Sequence, residues 1–226
     1  MEKSYIWTLP TRVFHWLLAL FILLSFITSD IDDFLNYHVI VGYAVLILIF
    51  YRIVWGIIGP KFSQFKDFPL SKKNVKEFLS NMFNSEQKYL GHNPMASYVM
   101  ISMFLIIFLI ILTGAIAFGI EEGKGIFSSF KTGILGKNEL FEDIHEILSN
   151  LLIVLIVAHL SGVLFDKIFH KKHETLKSIF SGYKKTKYLE SVELNIFQKI
   201  VATTFLILFI TFLIYSFINP ENILLG

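Results

Sequence analysis

Residues 144–165 read IHEILSNLLIVLIVAHLSGVLF, an apolar run that carries two histidines, His145 and His159. A run of this length can cross a hydrocarbon core, which takes about 20 helical residues. The two histidines are 14 residues apart. At 100° per residue that spacing turns about 1400°, about 40° short of four full turns, and rises about 21 Å. Both imidazoles therefore belong to one face of one helix, at two depths. Ionisable side chains inside a membrane are costly and rare, so this face sets the terms for the rest of the chain.

Four further apolar stretches accompany it, at about residues 13–29, 39–59, 98–119 and 200–218. Pro10 can open the first helix earlier, since proline suits a first helical turn. Of the 226 residues 54% are hydrophobic and 17% charged, with 24 Phe, 13 Gly and 5 Pro, which excludes disordered and collagen-like chains. A net charge of +2 gives no footprint for nucleic acid. The absence of cysteine removes disulfides, iron–sulfur clusters, thiolate zinc sites and covalently attached c-type haem. The first segment carries His15 and Trp16 in its opening turn and no small-residue cleavage site follows, so it does not read as a signal peptide. The expectation is an integral membrane protein of helices, because in lipid only helices or closed barrels satisfy the backbone.

The basic residues orient the spans. Lys3 and Arg12 precede the first, while the Asp30–Asp33 loop has no basic residue. The second loop is rich in lysine (Lys61, Lys66, Lys72, Lys73, Lys76, Lys88), the third is mixed, and the fourth is basic again from Lys167 to Lys187. This alternation predicts a cytoplasmic N-terminus, cytoplasmic even loops and an outer C-terminus. Within the second loop, Ser71 reads as an N-cap before Val75, Phe78, Leu79, Met82 and Phe83, one apolar face among lysines. That pattern predicts a helix at about 72–84 lying on the inner leaflet, with docking of a cytoplasmic partner as its other use.

Four of seven histidines fall in or at the edge of spans: His15, His38, His145 and His159. With the spans oriented, His15 and His159 share the cytoplasmic level, and His38 and His145 the outer level. Two such pairs suit two bis-histidine haems, each iron held by imidazoles from different helices. Zinc would take four ligands per site, and no carboxylates gather at either level. A di-iron centre would need Glu-x-x-His twice, and Glu142–His145 is the single copy. Four unrelated structural histidines are the plainer alternative. Gly42 lies four residues after His38 and Gly162 three after His159. Each is on its histidine's face, where a flat macrocycle could approach the backbone or another helix could pack. Arg52, 14 residues after His38 on the same face, reaches the cytoplasmic level, where haem propionates need a cation. Arg12, three residues before His15, can do the same, or both can snorkel to headgroups.

The stretches Trp7–Trp16, His38 with Gly42, Arg52-Ile53-Val54-Trp55-Gly56, Gly91-His92-Asn93-Pro94, His145-Glu146 and His159 with Gly162 together resemble the bacterial cytochrome b-561 family. They also resemble the related b-type cytochrome subunit of nickel–iron hydrogenases. The resemblance covers roughly residues 5–182. It implies a four-helix transmembrane bundle with two non-covalent b haems, His15, His38, His145 and His159 being the axial ligands. It further implies electron transfer between the quinone pool and a partner: a hydrogenase, another dehydrogenase or a c-type cytochrome. Quinol oxidation or quinone reduction is the enzymatic activity such a relay would carry. The fifth span has no His and no charge and reads as an accessory or partner-packing helix, so the chain divides into a haem bundle (1–182) and a basic linker with that helix (183–226). His92, before an Asn93 N-cap and Pro94, stands near a quinone headgroup or propionate, or fixes its loop by a hydrogen bond. His170 and His173 lie among lysines and read as solvated. The rival functions are a proton channel or transporter lined by histidine, which would predict broken helices or inverted repeats, and a purely structural anchor.

Overall fold

The computed structural model describes residues 2–29, 31–83, 88–132, 139–171, 174–186 and 190–221. In chain order these form strand β1 (Glu2–Tyr5), helices α1 (Leu9–Ser29), α2 (Leu35–Ile58), α3 (Lys72–Ser80), α4 (Pro94–Glu121), α5 (Leu140–Phe169) and α6 (Thr175–Ser181), strand β2 (Tyr183–Thr186) and helix α7 (Ile196–Ile218). Helices α1, α2, α4, α5 and α7 are long and apolar enough to cross a membrane. Each overlaps an expected span and begins a few residues earlier, because polar residues extend a helix that hydropathy alone cuts short. Pro10 stands in the first turn of α1, and Glu142 and Asp143 in the first turn of α5, where negative charge suits the helix dipole. Asn93 caps α4, its Oδ1 accepting from the Ala96 amide at 2.8 Å. Ser71 caps α3, accepting from the Asn74 amide at 3.2 Å.

Helix α2 is the most enclosed of the five: 56% of its most apolar window is buried, against 6–11% in the others. The others leave large apolar side chains such as Leu20, Leu23, Ile27, Leu105 and Leu164 uncovered. Surfaces of that composition are at home in lipid rather than in water.

The chain divides into two compact units. The first comprises Met1–Trp16, Tyr51–Met103 and Val154–Ala202, the second Leu17–Phe50, Phe104–Ile153 and Thr203–Gly226. In the second unit the core is the α2 side chains Ile40, Val41, Ala44, Val45 and Leu48, all buried. Helix α7 joins that unit through an edge-on contact of Phe209 with Phe21, ring centroids 5.5 Å apart.

In the first unit, Ile6, Trp7, Phe62 and Val192 form an apolar core with Leu90 against it. Polar contacts surround it. Trp55 Nε1 donates to Thr11 Oγ1 at 3.0 Å, and that oxygen lies 2.9 Å from Ser63 Oγ and 3.1 Å from Thr8 Oγ1. This network satisfies a buried indole that would otherwise cost about 1–3 kcal/mol. An antiparallel strand pair, absent from the sequence expectations, joins the N-terminus to the segment after α6: β1 pairs with β2, Ser4 opposite Lys184 and Tyr5 opposite Tyr183.

Gly182 turns the chain into that pair. It closes α6 with φ +84°, its amide donates to the Ser178 carbonyl at 2.7 Å, and its own carbonyl accepts from the Ile6 and Trp7 amides at 2.8 and 3.1 Å. A Cβ there would stand 2.3 Å from the Tyr5 ring and 2.7 Å from the Trp7 carbonyl. Gly182→Ala is expected to cost about 1–3 kcal/mol and lower the thermal midpoint in detergent by about 2–12 °C. An unchanged midpoint would show that this turn carries no strain-sensitive contact.

Candidate functional site

The four membrane histidines lie in pairs, one pair in each unit. In the first unit the His15 and His159 rings are 6.4 Å apart between centroids, inclined at 48°. In the second, His38 and His145 are 6.2 Å apart at 79°. A metal shared by two imidazoles needs about 2 Å to each nitrogen and about 1 Å more from nitrogen to ring centre, about 6 Å in all. Both separations meet that requirement. Among the described residues no three His, Cys, Asp or Glu gather where they could hold a metal ion. Each pair thus suits a metal that brings its remaining ligands with it, as a haem iron does.

The ring nitrogens are assigned by their partners. His145 Nδ1 lies 2.9 Å from the Ile110 carbonyl, and His38 Nδ1 3.0 Å from the Ser25 carbonyl. A carbonyl can only accept, so Nδ1 carries the proton in both rings and Nε2 keeps its lone pair for a metal. Thr28 Oγ1, 3.3 Å from His38 Nδ1, borders the same nitrogen. His15 is built differently: its Nδ1 is buried and has no hydrogen-bond partner among the described residues. Its ring meets Trp16 edge-on at 5.1 Å.

Three glycines divide by what a side chain would meet. A Cβ at Gly42 or at Gly162 has nothing within 4 Å, so neither glycine serves a close helix contact among the described residues. Both leave room beside a histidine pair, which suits a flat group lying against the helix. A Cβ at Gly114 would stand 2.7 Å from His145 Cε1 and 2.8 Å from its Nδ1. Gly114 therefore lets the His145 ring reach the Ile110 carbonyl on α4. Sequence reading missed it, although a glycine inside an apolar helix was its visible signal.

Arg52 is buried at 5% exposure, with its guanidinium 4.6 Å from the Phe65 ring centroid and 6.0 Å from that of Phe68. Gly56, one turn further along α2, makes the seat for Phe65, whose ring would lie 2.1 Å from a Cβ there. Arg12 donates to the Phe180 carbonyl, and its Nε is buried without a hydrogen-bond partner among the described residues. His92 packs its ring on Trp7 (4.8 Å) and Phe68 (5.1 Å), and burial, with Arg52 next, pushes its pKa down to about 3. It is a neutral imidazole in an aromatic slot.

His170 corrects an expectation. It is 2% exposed, with Nδ1 3.1 Å from Asp166 Oδ1, one turn back on its own helix end. The run of lysines around it signals solvent, yet its backbone amide bonds to the Asp166 carbonyl at 2.8 Å and folds the side chain inward. His173 lies outside the described residues.

A family model described as prokaryotic cytochrome b561 matches residues 6–182. The "Probable Ni/Fe-hydrogenase B-type cytochrome subunit" of Cupriavidus necator is 23% identical over 221 residues, covering 83% of this chain and 89% of that protein. The protein of the same description from Rhodobacter capsulatus is 24% identical over 215 residues, covering 81% and 82%. No solved structure matches the chain.

The glycines give a test that separates helix packing from a cofactor cradle. Gly42→Ala and Gly162→Ala are expected to leave the thermal midpoint of haem-free protein unchanged or slightly higher, Ala exceeding Gly in a helix by about 0.5–1 kcal/mol. Gly114→Ala is expected to lower it, through an overpacking cost of about 1–3 kcal/mol. Equal destabilisation by all three would favour helix packing throughout.

Proposed function

The chain belongs to the prokaryotic cytochrome b561 family, membrane b-type cytochromes of electron transfer, and on that footing we propose that it is a di-haem relay between the quinone pool and a redox partner. The observation that carries the reading is the pair of His–His separations, 6.4 and 6.2 Å, each the span of a shared axial metal. When bound, haem b supplies a one-electron couple at each site. The chain's own residues do the rest.

His15 and His159 serve one haem, His38 and His145 the other. The Ile110 and Ser25 carbonyls hold the Nδ1 protons of His145 and His38 and aim each bare Nε2. A hydrogen bond of this kind also raises the basicity of the ligand. Gly42 and Gly162 leave space for the macrocycle faces. Arg12 and Arg52 offer positive charge to propionates on the His15–His159 side. The apolar walls exclude water, so the charge on each site is set by these few groups rather than by solvent.

Around the sites, α1, α2, α4 and α5 make a four-helix transmembrane bundle, and α7 is an accessory span. Residues 1–182 form the haem-bearing part, with α3 lying on the inner leaflet, and 183–226 the basic linker and last helix. The prokaryotic family supports the inner membrane of a bacterium, and the lysine-rich even loops support an N-terminus in the cytoplasm and a C-terminus outside. The printed names of the relatives support a hydrogenase as the partner, and another dehydrogenase or a c-type cytochrome would meet the same chemistry. Quinone is the membrane-soluble carrier that a relay of this kind would exchange electrons with.

Purified protein is expected to show a b-type reduced α-band and about two haems per chain by pyridine haemochrome, one for each histidine pair. His15→Ala or His159→Ala should remove one haem and spare the other. His38→Ala or His145→Ala should remove the second. A colourless protein from haem-replete cells, or loss of both haems in a single folded variant, would overturn the reading.

A further inference from the structure

Strand β2 presents its side chains alternately, as strands do. Tyr183 is 48% exposed, and Lys185 reaches outward to Glu174 at 3.1 Å. Lys184 between them is turned inward and only 5% exposed. Its Nζ donates to the carbonyls of Tyr89 at 3.4 Å and Leu90 at 3.3 Å, long contacts for an ammonium. No carboxylate among the described residues is within ion-pair distance of it.

Those carbonyls belong to the residues three and two before His92. The His92 ring lies on Phe68, and Arg52 stands over Phe65 and Phe68. Contacts link this corner to the His15–His159 pair: the His15 ring meets Trp16 at 5.1 Å, Trp16 packs on Phe180 at 4.8 Å, Arg12 donates to the Phe180 carbonyl, and Lys184 follows four residues later. A buried ammonium with weak carbonyl contacts is costly unless an anion faces it. Burial lowers the pKa of Lys184 and Asp166 opposes that shift from beyond ion-pair distance; the Asp166 Oδ1 is engaged by His170, and its Oδ2 has no hydrogen-bond partner among the described residues.

The geometry points to Lys184 as a cofactor-binding cation: we propose that it joins Arg52 in receiving the carboxylate arms of the haem held by His15 and His159. This rests on the reading of that pair as a haem site. It adds a residue beyond 6–182, the stretch that the family model matches. It also gives the strand pair a purpose, since β1 opposite β2 is what turns Lys184 inward.

The test is redox potentiometry of the purified two-haem protein, carrying Lys184→Met, Lys184→Arg or Lys185→Met. The His15–His159 haem is identified as the one missing from His159→Ala. Removing a positive charge favours the oxidised form. Lys184→Met is expected to shift that haem's one-electron equilibrium about tenfold, the size of a unit charge about 12 Å away at an effective dielectric constant of about 20. That is a potential lower by about 59 mV for one electron. The other haem should not move, Lys184→Arg should restore the value, and Lys185→Met should have no effect. Lys184→Met should also release natural haem from the His15–His159 site about tenfold faster than wild type does, for the loss of one charge-assisted contact, and should release haem dimethyl ester, whose arms are uncharged, at the wild-type rate.

Equal potentials in wild type and Lys184→Met overturn the proposal, as does faster release by Lys184→Met that persists with the ester. A shift seen only when phosphatidylglycerol is added assigns Lys184 to a lipid phosphate and overturns it too. Should Lys184→Met fail to fold, Lys184→Gln, which also removes the charge, takes its place in both comparisons. Retention of both haems by His159→Ala would instead overturn the assignment of the pair itself.

Discussion

An imidazole inside an apolar bundle has to place both of its nitrogens, and only one of them can face a metal. His145 meets that constraint by giving its Nδ1 proton to the Ile110 carbonyl at 2.9 Å, and His38 by giving its own to the Ser25 carbonyl at 3.0 Å. Each acceptor is a helix carbonyl shared away from its own ladder, on a neighbouring helix. The bond therefore fixes the tautomer, the ring plane and the helix-to-helix register together. Gly114 belongs to the same constraint, since any larger residue would push the ring off its carbonyl.

The first unit solves a different problem. His15 has a buried Nδ1 without such an acceptor among the described residues. Thr11, Trp55 and Ser63 tie the start of α1 to the end of α2. Trp7 is held by Ser178 through its indole N–H at 3.2 Å and packs at a tilt against His92. The β1–β2 pair then fastens the N-terminus to the linker before α7. Arg52 and Lys184, each 5% exposed, are cations that the surrounding chain holds inside this unit.

Much of this was legible in the sequence, for reasons of length and period. Five apolar stretches long enough to span a bilayer have few other readings, and fourteen residues on a helix return a side chain to its own face. Asn93-Pro94 and Ser71 announced their helix starts because capping is local chemistry. The strand pair was not legible, as four residues of mixed polarity carry no usable alternation. His170 and Lys184 were hidden by their lysine-rich surroundings, where average charge signals solvent while a helix end or a strand's alternation turns one side chain inward. Gly114 showed itself as a glycine, but its partner lies 31 residues away on another helix, a distance that no local pattern bridges.

The central claim is that two pairs of neutral imidazoles each close on one iron. Electron paramagnetic resonance of the oxidised protein, with spins quantified against its chain concentration, tests it most directly. Ligation by two imidazoles at each site is expected to give only low-spin haem signals, summing to about two spins per chain. A substantial high-spin signal in the intact protein, or a total near one spin, would contradict it.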